Sequence, residues 1–182
     1  APPVVSYDLE MKDLREGVAR VLGELTQTGA GASAAARRAI LPHAAALCQF
    51  FGREESNDFL LPLLITFLND RDWQLRAAFF GHVAGLASTV RRESVEAFLL
   101  PCVEQALSAP EDAVVEAAAG CLASLVPFLR RHLLLGALGK AAPLLCHPAA
   151  GVRGAAVALV VAAAGGMSPA DAFLRLRPAV MP

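Results

Sequence analysis

The sequence predicts an all-α protein, a superhelix of about four stacked helical hairpins, and three observations support this prediction. The tetrapeptide Phe-Leu-Leu-Pro at 59–62 returns at 98–101, and a repeat of about 40 residues is typical of HEAT and armadillo solenoids. Hydrophobic residues make up 55% of the chain and charged residues 18%, and the abundant alanine and leucine favour helix. Apolar residues recur at spacings of three and four.

The spacing of the repeated tetrapeptide defines a repeat register, and extending it along the chain gives the repeat boundaries. Leu75 matches Val114 one repeat later and Val152 two repeats later. We expect a single domain over 1–182 that contains repeats at about 8–51, 57–90, 94–129 and 131–166, with the start of a further repeat at 168–182. The ends carry no polar capping repeat, which predicts a fragment of a larger protein.

The first helix is expected over about 8–25. Its apolar side chains fall at helical spacings and should face the core together: Leu14, Val18, Val21, Leu22 and Leu25. Gly52 is expected to end the following helix in the left-handed conformation. Pro62 and Pro101 occupy the same register inside first helices, where a proline removes a backbone donor and produces a kink.

A ladder of polar contacts is expected between the turns. Asp70 lies in a turn and Arg76 in the helix that follows it, and in HEAT repeats such Asp and Arg positions bind neighbouring turns. The Arg position of the other repeats holds Arg37, Val115 and Arg153. The ladder is therefore predicted to be broken in the third repeat, which should depend more on apolar packing.

Catalytic and metal-binding patterns are missing from the sequence. The chain contains no CxxC, HExxH, GxSxG or phosphate-binding glycine motif, so we expect no enzyme activity, no metal and no cofactor. Each cysteine lies in an apolar helical stretch, which predicts buried free thiols and fits a reducing compartment. These cysteines are Cys48, Cys102, Cys121 and Cys146.

The charge pattern argues against binding to nucleic acid and against membrane insertion. The 16 basic and 17 acidic residues give a net charge of −1, with no basic footprint. The most apolar run covers only 155–164, whereas a membrane helix needs about 20 residues. Two arginine pairs, Arg91-Arg92 and Arg130-Arg131, are expected near helix carboxyl termini, where cations complement the helix dipole. The alternative, which we favour less, is a small basic patch that faces an acidic partner or a lipid.

Trp73 follows Asp72 at the start of a second helix. One interpretation is a side chain packed on the neighbouring repeat. The other is an anchor for a partner protein, because tryptophan is enriched at interface hot spots. We favour packing and retain Trp73 as a candidate partner contact. Of the adjacent pair Phe79 and Phe80, one ring should enter the core and the other should meet the adjacent repeat.

Several longer segments resemble one particular HEAT region. They are 50–53, 57–58, 65–70, 73–80, 145–148 and 152–153. They are similar to the helical repeats of the regulatory subunit of the class III phosphatidylinositol 3-kinase complex. That subunit combines a protein-kinase-like domain, HEAT repeats and a WD-repeat propeller. The likeness is densest over 47–80 and is weaker before 34 and between 80 and 144.

This resemblance implies a non-catalytic scaffold or docking module that acts in autophagy and endosomal trafficking. It implies as partners the lipid-kinase catalytic subunit and coiled-coil autophagy subunits. It also implies a cytoplasmic location, peripheral to endosomal and autophagic membranes through the parent complex. No catalytic residue is carried over, because the kinase-like domain lies outside this chain.

Two alternatives come from the solenoid prediction. One is an unrelated HEAT scaffold, such as a transport adaptor or a phosphatase scaffold. The other is a HEAT-like protein that binds or processes nucleic acid, which would need basic residues along the second helices. Those helices are mostly alanine, valine, leucine and glycine, which disfavours the nucleic-acid alternative.

Overall fold

The structure is a computed structural model that describes residues 7–26 and 34–180. The prediction of an all-α fold is confirmed: the described residues form helices joined by short turns and contain no strand. The α-helices are α1 (Tyr7–Thr26), α2 (Ala34–Ile40), α3 (Ala44–Glu55), α4 (Leu61–Ile65), α5 (Trp73–Val83), α6 (Arg92–Ser94), α7 (Leu100–Ala106), α8 (Asp112–Leu125), α9 (Arg131–Ala141), α10 (Ala150–Gly165), α11 (Pro169–Asp171) and α12 (Arg177–Val180).

Short 3₁₀ and π segments extend several of these helices. The 3₁₀ segments are Leu41–His43, Thr66–Asn69, Ala84–Leu86, Val126–Phe128 and Ala142–Cys146. The π segments are Ser56–Leu60, Val95–Leu99 and Ala172–Leu176.

The helices form two layers. In one layer α2 packs on α5, α5 on α8, and α8 on α10. In the other layer α7 contacts α9, and α9 contacts α12. The third and fourth repeats therefore contribute one helix to each layer, and the buried apolar side chains form one continuous core. Leu75, Val114 and Val152, which the register aligns, are each at most 1% exposed.

Prolines recur directly after the π segments. The backbone N–H of Leu61, Leu100 and Arg177 each bonds the carbonyl at the start of the preceding π segment, and Pro62, Pro101 and Pro178 follow. Because proline has no N–H to donate, a widened turn accommodates it without a sharp break. The kink expected at Pro62 and Pro101 is thus a π turn, and Pro178 repeats it two repeats after Pro101.

Gly52 departs from the expected left-handed cap. Its φ of 80° and ψ of 175° redirect the chain within α3, and it is the only positive-φ residue among those described. The adjacent phenylalanines Phe79 and Phe80 are both buried, and Phe80 lines the grooves between neighbouring repeats. Their rings pack edge to face with centroids 5.2 Å apart.

The arginine pairs do not end second helices, in contrast to the prediction. Arg91 and Arg130 are the N-cap residues of α6 and α9. A cation at a helix amino terminus is disfavoured by the helix dipole. Side chains that accept hydrogen bonds from Arg91 and Arg130 offset this effect, as described below. The prediction of four buried cysteines is also wrong in part, because Cys102 is half-buried and Cys146 is exposed.

Helix α1 is less buried than its spacing predicted. Of the five side chains expected to face the core, only Leu22 is buried, and Val18 is partly buried. Leu14, Val21 and Leu25 are 52%, 53% and 45% exposed. The apolar stripe of α1 is therefore wider than its contact with the stack.

Candidate functional site

The turn after α4 is tied to the preceding repeat by a mostly buried ion pair. Arg37 in α2 places Nη1 2.8 Å from Oδ2 of Asp70, and the two side chains are 9% and 14% exposed. The other carboxylate oxygen of Asp70 accepts a hydrogen bond from the N–H of Asp72 at 2.8 Å. Asp70 therefore holds its own turn and joins the first repeat to the second.

Arg76 in α5 makes the next contact along the stack. Its Nη1 donates to the carbonyl oxygen of Asp70 at 2.8 Å, and its Nη2 donates to Oε2 of Glu111 at 2.7 Å. Glu111 is the N-cap residue of α8. The polar contact thus reaches the third repeat through Glu111, although the repeat register aligns Asp70 with Ala109.

Arg153 in α10 behaves differently. Its Nη1 donates to the carbonyl oxygens of His147 and Pro148, both at 2.7 Å, and these residues belong to its own turn. The contact between the third and fourth turns is a separate one, in which Nε2 of His147 lies 3.9 Å from Oδ1 of Asp112.

A second series of contacts links the first helices. Oδ1 of Asn57 accepts the N–H of Arg91 at 3.1 Å, and Oε1 of Glu96 accepts the N–H of Arg130 at 2.8 Å. The two acceptors are one repeat apart in sequence, and so are the two donors. Because the acceptors and the donors recur at the same spacing, the repeat register could have predicted this series of contacts. Asparagine and glutamate differ in chemistry, however, so the two acceptors do not look equivalent in the sequence.

Glu96 also pairs with the guanidinium of the arginine that it caps. Oε2 of Glu96 accepts Nε of Arg130 at 2.6 Å, and Glu96 is buried. The hydrogen bonds from Arg130 hold the pKa of the Glu96 carboxyl below its ordinary value, the side-chain bond being the main cause and burial acting against it. This carboxylate offsets the unfavourable position of a cation at a helix amino terminus.

Trp73 is the first residue of α5 and is 43% exposed. Its neighbour Asp72 caps the helix by accepting the N–H of Gln74 at 2.9 Å. Arg38 of the preceding repeat contacts Gln74 and lies 3.8 Å from Asp72. The backbone around Trp73 is therefore fixed, while much of the indole remains on the surface.

Shallow grooves lie between the repeats, and two of them are built as follows. One, of about 680 Å³, runs between the second and third repeats beside Asp70, Arg76 and Cys102. The other, of about 630 Å³, crosses α5, α8 and α10 and is lined mainly by small residues such as Gly81, Gly120 and Gly154. Both are elongated surfaces between helices and not enclosed chambers.

Three of the four cysteine thiols are weak nucleophiles. Burial raises the pKa of Cys121 to about 12 and raises the pKa values of Cys48 and Cys102, so these thiols stay protonated near neutral pH. No group of three His, Cys, Asp or Glu side chains suited to a metal occurs among the described residues. No described helix has both the length and the apolar character to cross a bilayer.

A comparison with protein-family models finds a match over nearly the whole chain. The model described as the middle domain of PIK3R4-like proteins matches residues 2–182. The chain belongs to this family. The earlier resemblance to the regulatory subunit of the class III phosphatidylinositol 3-kinase complex is confirmed.

Relatives of this PIK3R4-like middle domain include the serine/threonine-protein kinase VPS15 of Arabidopsis thaliana. The two are 44% identical over 173 residues, 94% of this chain and 12% of that protein. The probable serine/threonine-protein kinase vps15 of Dictyostelium discoideum is 36% identical over 148 residues, 80% of this chain and 8% of that protein. The chain thus spans about a tenth of the length of these curated relatives.

The solved structures include a related fold. The crystal structure of an engineered protein superposes with a TM-score of 0.63 over 90% of this chain and 68% of that chain, at 18% identity. At this identity the likeness concerns the helical fold alone.

Proposed function

We propose that this chain is a non-catalytic scaffold and docking module in the regulatory subunit of a class III phosphatidylinositol 3-kinase complex that acts in autophagy and endosomal trafficking. The observation that carries the proposal is the family match over 2–182. The curated relatives are named as protein kinases, and the chain aligns with 8–12% of their length. Phosphoryl transfer is therefore assigned to other parts of the parent protein.

The proposed mechanism is geometric. Repeats in a solenoid contact mainly their neighbours, so the stack sets the separation of whatever is attached at its two ends. The Arg37–Asp70 and Arg76–Glu111 contacts support a fixed angle between successive repeats. A stack held in this way keeps flanking domains at a defined distance and orientation.

The proposed partners are the lipid-kinase catalytic subunit and the coiled-coil autophagy subunits, and the proposed location is cytoplasmic and peripheral to endosomal and autophagic membranes. The family assignment supports membership of such a complex. Trp73 is proposed as a partner contact because its indole is 43% exposed on a fixed helix start. The transport-adaptor and phosphatase-scaffold alternatives are not favoured, because the family model covers nearly the whole chain.

The test replaces this region in the full-length parent protein. One variant carries a flexible linker in place of residues 47–146, and a second carries an unrelated helical-repeat array of equal span. The parent is then purified from cells, and the recovered lipid kinase and its activity are measured. A further variant, Trp73→Ala, tests the partner contact, with the exposed Val161→Ala as its control.

The outcomes separate spacing from docking. We expect the flexible linker to lose the kinase or its activity. Rescue by the unrelated array would assign the function to spacing, whereas failure of the array would assign it to specific surface contacts. Full recovery and activity with the flexible linker would overturn the scaffold proposal.

A further inference from the structure

The turn between α7 and α8 carries an exposed serine whose hydroxyl is unused. Ser108 is exposed, and its backbone N–H donates to the carbonyl oxygen of Gln105 at 3.2 Å. Its side chain makes no hydrogen bond with any residue that the structure describes. The other exposed serines of the described ranges differ, because each uses its hydroxyl in a hydrogen bond: Ser88, Ser124 and Ser168. Ser108 therefore sits in a fixed turn with a hydroxyl that is open to reaction.

The repeat register lacks an acid beside this serine. In the turn of the second repeat, Asp70 pairs with Arg37 of the preceding repeat. One repeat later the same two positions hold Ala109 and Arg76. Alanine supplies no carboxylate, so the register gives Arg76 no acid at this position. A phosphate on Ser108, the residue before Ala109, would place an anion one residue away from it.

Two guanidinium groups lie in the groove that Ser108 borders. The groove of about 680 Å³ is lined by Ser108 from the third repeat and by Arg71 and Arg76 from the second. Arg71 is exposed and makes no ion pair or hydrogen bond with a residue in the described ranges. Packed helices are about 8–10 Å apart, a separation that an arginine and a phosphoserine side chain can bridge together. Arg71 is therefore the first cation available to such a phosphate, and Arg76 is the second.

The carboxylates of this region do not cancel the attraction. Asp70 also lines the groove, but it is paired with Arg37, and Glu111 is paired with Arg76. A phosphoserine carries about −1.5 to −2 charges at neutral pH and three strong acceptor oxygens. Hydrogen bonds between a guanidinium and a phosphate are about twice as strong as neutral ones. The phosphate can therefore compete with Glu111 for Arg76, while Arg71 supplies further donors.

The residues that follow Ser108 suit a kinase that recognises acidic sequences. Glu111 and Asp112 lie three and four positions after it, and charge patterns around the acceptor residue contribute to the specificity of kinases for their substrates. Ser168 also has an acid three positions later, Asp171, but its hydroxyl is already bonded to that carboxylate at 2.8 Å. The turn at Ser108 thus combines an acidic sequence, an open hydroxyl and nearby arginines.

We propose that Ser108 is a phosphorylation site and that its phosphate is bound by Arg71 and Arg76 across the groove between the second and third repeats. A protein serine kinase transfers the γ-phosphoryl group of a nucleoside triphosphate to Oγ of Ser108, the hydroxyl loses its proton, and the nucleoside diphosphate leaves. The product joins two repeats by a contact that the unmodified chain lacks, so the modification stiffens the stack at this junction. The inference does not depend on the proposed function, because it concerns the chemistry of one groove.

The first experiment tests whether Ser108 accepts phosphate in the folded protein. The full-length parent is isolated from its own cells with phosphatase inhibitors, and a second preparation is incubated with ATP and casein kinase 2, which selects serines followed by acidic residues. Mass spectrometry of the peptides locates the phosphate. We expect phosphate on Ser108 in both preparations. The Ser108→Ala variant should lose this signal, and the matched control Ser124→Ala should keep it. Absence of phosphate at Ser108 from either preparation would overturn the proposal.

The second experiment tests where the phosphate binds. Hydrogen exchange with mass spectrometry compares the phosphorylated parent with the same preparation after phosphatase treatment. We expect residues 66–72, which are not themselves modified, to exchange at least about threefold more slowly with the phosphate present. The corresponding segment of the fourth repeat, 142–149, should be unchanged. The Ser108→Ala variant treated in the same way should show no difference.

Arginine variants complete the test. Arg71→Ala should lose most of the slowing at 66–72, whereas Arg92→Ala, at an exposed arginine at the start of α6, should retain it. Equal exchange before and after phosphatase treatment, or full slowing in the Arg71→Ala variant, would mean that the phosphate points into solvent. Either result would overturn the proposal.

Discussion

Arg37 and Asp70 meet across the boundary of the first two repeats, with Nη1 and Oδ2 separated by 2.8 Å. Asp70 also supports its own turn through the N–H of Asp72. The same carboxylate therefore determines the local shape of one repeat and its attachment to the repeat before it.

Replacing Arg37 should destabilise the fold. We expect Arg37→Ala to lower the free energy of unfolding by about 2–4 kcal/mol. This range lies between the contribution of a hydrogen bond to a charged group and the cost of removing one partner of a fully buried ion pair. Urea denaturation measures the change. The control Arg71→Ala, at an exposed neighbour of Asp70, should change it by less than about 0.5 kcal/mol. Equal effects of the two variants would show that the ion pair contributes nothing specific.

The contribution of Glu96 to stability should depend on pH. Because its folded pKa is below its ordinary value, the contribution is complete above the unfolded pKa of about 4.3 and is lost as the pH falls through the lower folded pKa. Glu96→Gln should therefore melt below the wild type at pH 7, and the difference should shrink as the pH falls below about 4. Thermal melts from pH 7 to pH 3 measure this, with exposed Glu55→Gln as control. A difference that is constant with pH would contradict the assignment.

Leu75 tests the repeat register. It is 0% exposed, and Leu75→Ala should lower the free energy of unfolding by about 2–5 kcal/mol because it leaves a cavity. Leu75→Asp should cost more, since it buries a charge without a partner. Leu174→Asp, at a leucine that is 68% exposed, is the control and should have little effect in the same denaturation assay. A loss below about 1 kcal/mol for Leu75→Asp would be too small for a core position.

The cysteines should react in order of exposure and thiol pKa. Cys146 is exposed, whereas Cys121 is buried with its pKa raised to about 12. Alkylation near neutral pH, followed by mass spectrometry of the peptides, should modify Cys146 first and Cys121 last. Alkylation in denaturant is the control, where all four cysteines should react at similar rates. Early modification of Cys121 in the native protein would contradict its burial.

The two-layer fold followed from the sequence because its signal is repeated. Leu75, Val114 and Val152 share one register and are all buried, so the period locates core positions without knowledge of the contacts. The extent of α1 was also close to expectation. Which half of its apolar stripe meets the stack depends on neighbouring helices, and spacing within a single helix carries no information about them.

The polar contacts were harder to predict. Arg76 pairs with Glu111, whereas the repeat register aligns Asp70 with Ala109, so the register alone does not identify the carboxylate that lies nearest in the turn. Arg91 and Arg130 were expected near helix carboxyl termini and instead cap the helices that follow them. Their N–H groups are satisfied by Asn57 and Glu96, two residues that differ in chemistry although both are acceptors.

The junctions between repeats differ in how far their charges are shielded from solvent. Arg37 and Asp70 join the first two repeats, and their side chains are 9% and 14% exposed. Arg130, which pairs with Glu96 between the third and fourth repeats, has a side chain that is 56% exposed. Salt screens exposed charges more strongly than buried ones. Concentrated salt should therefore loosen the carboxyl-terminal junction before the amino-terminal one, so that the stack becomes flexible at one end first.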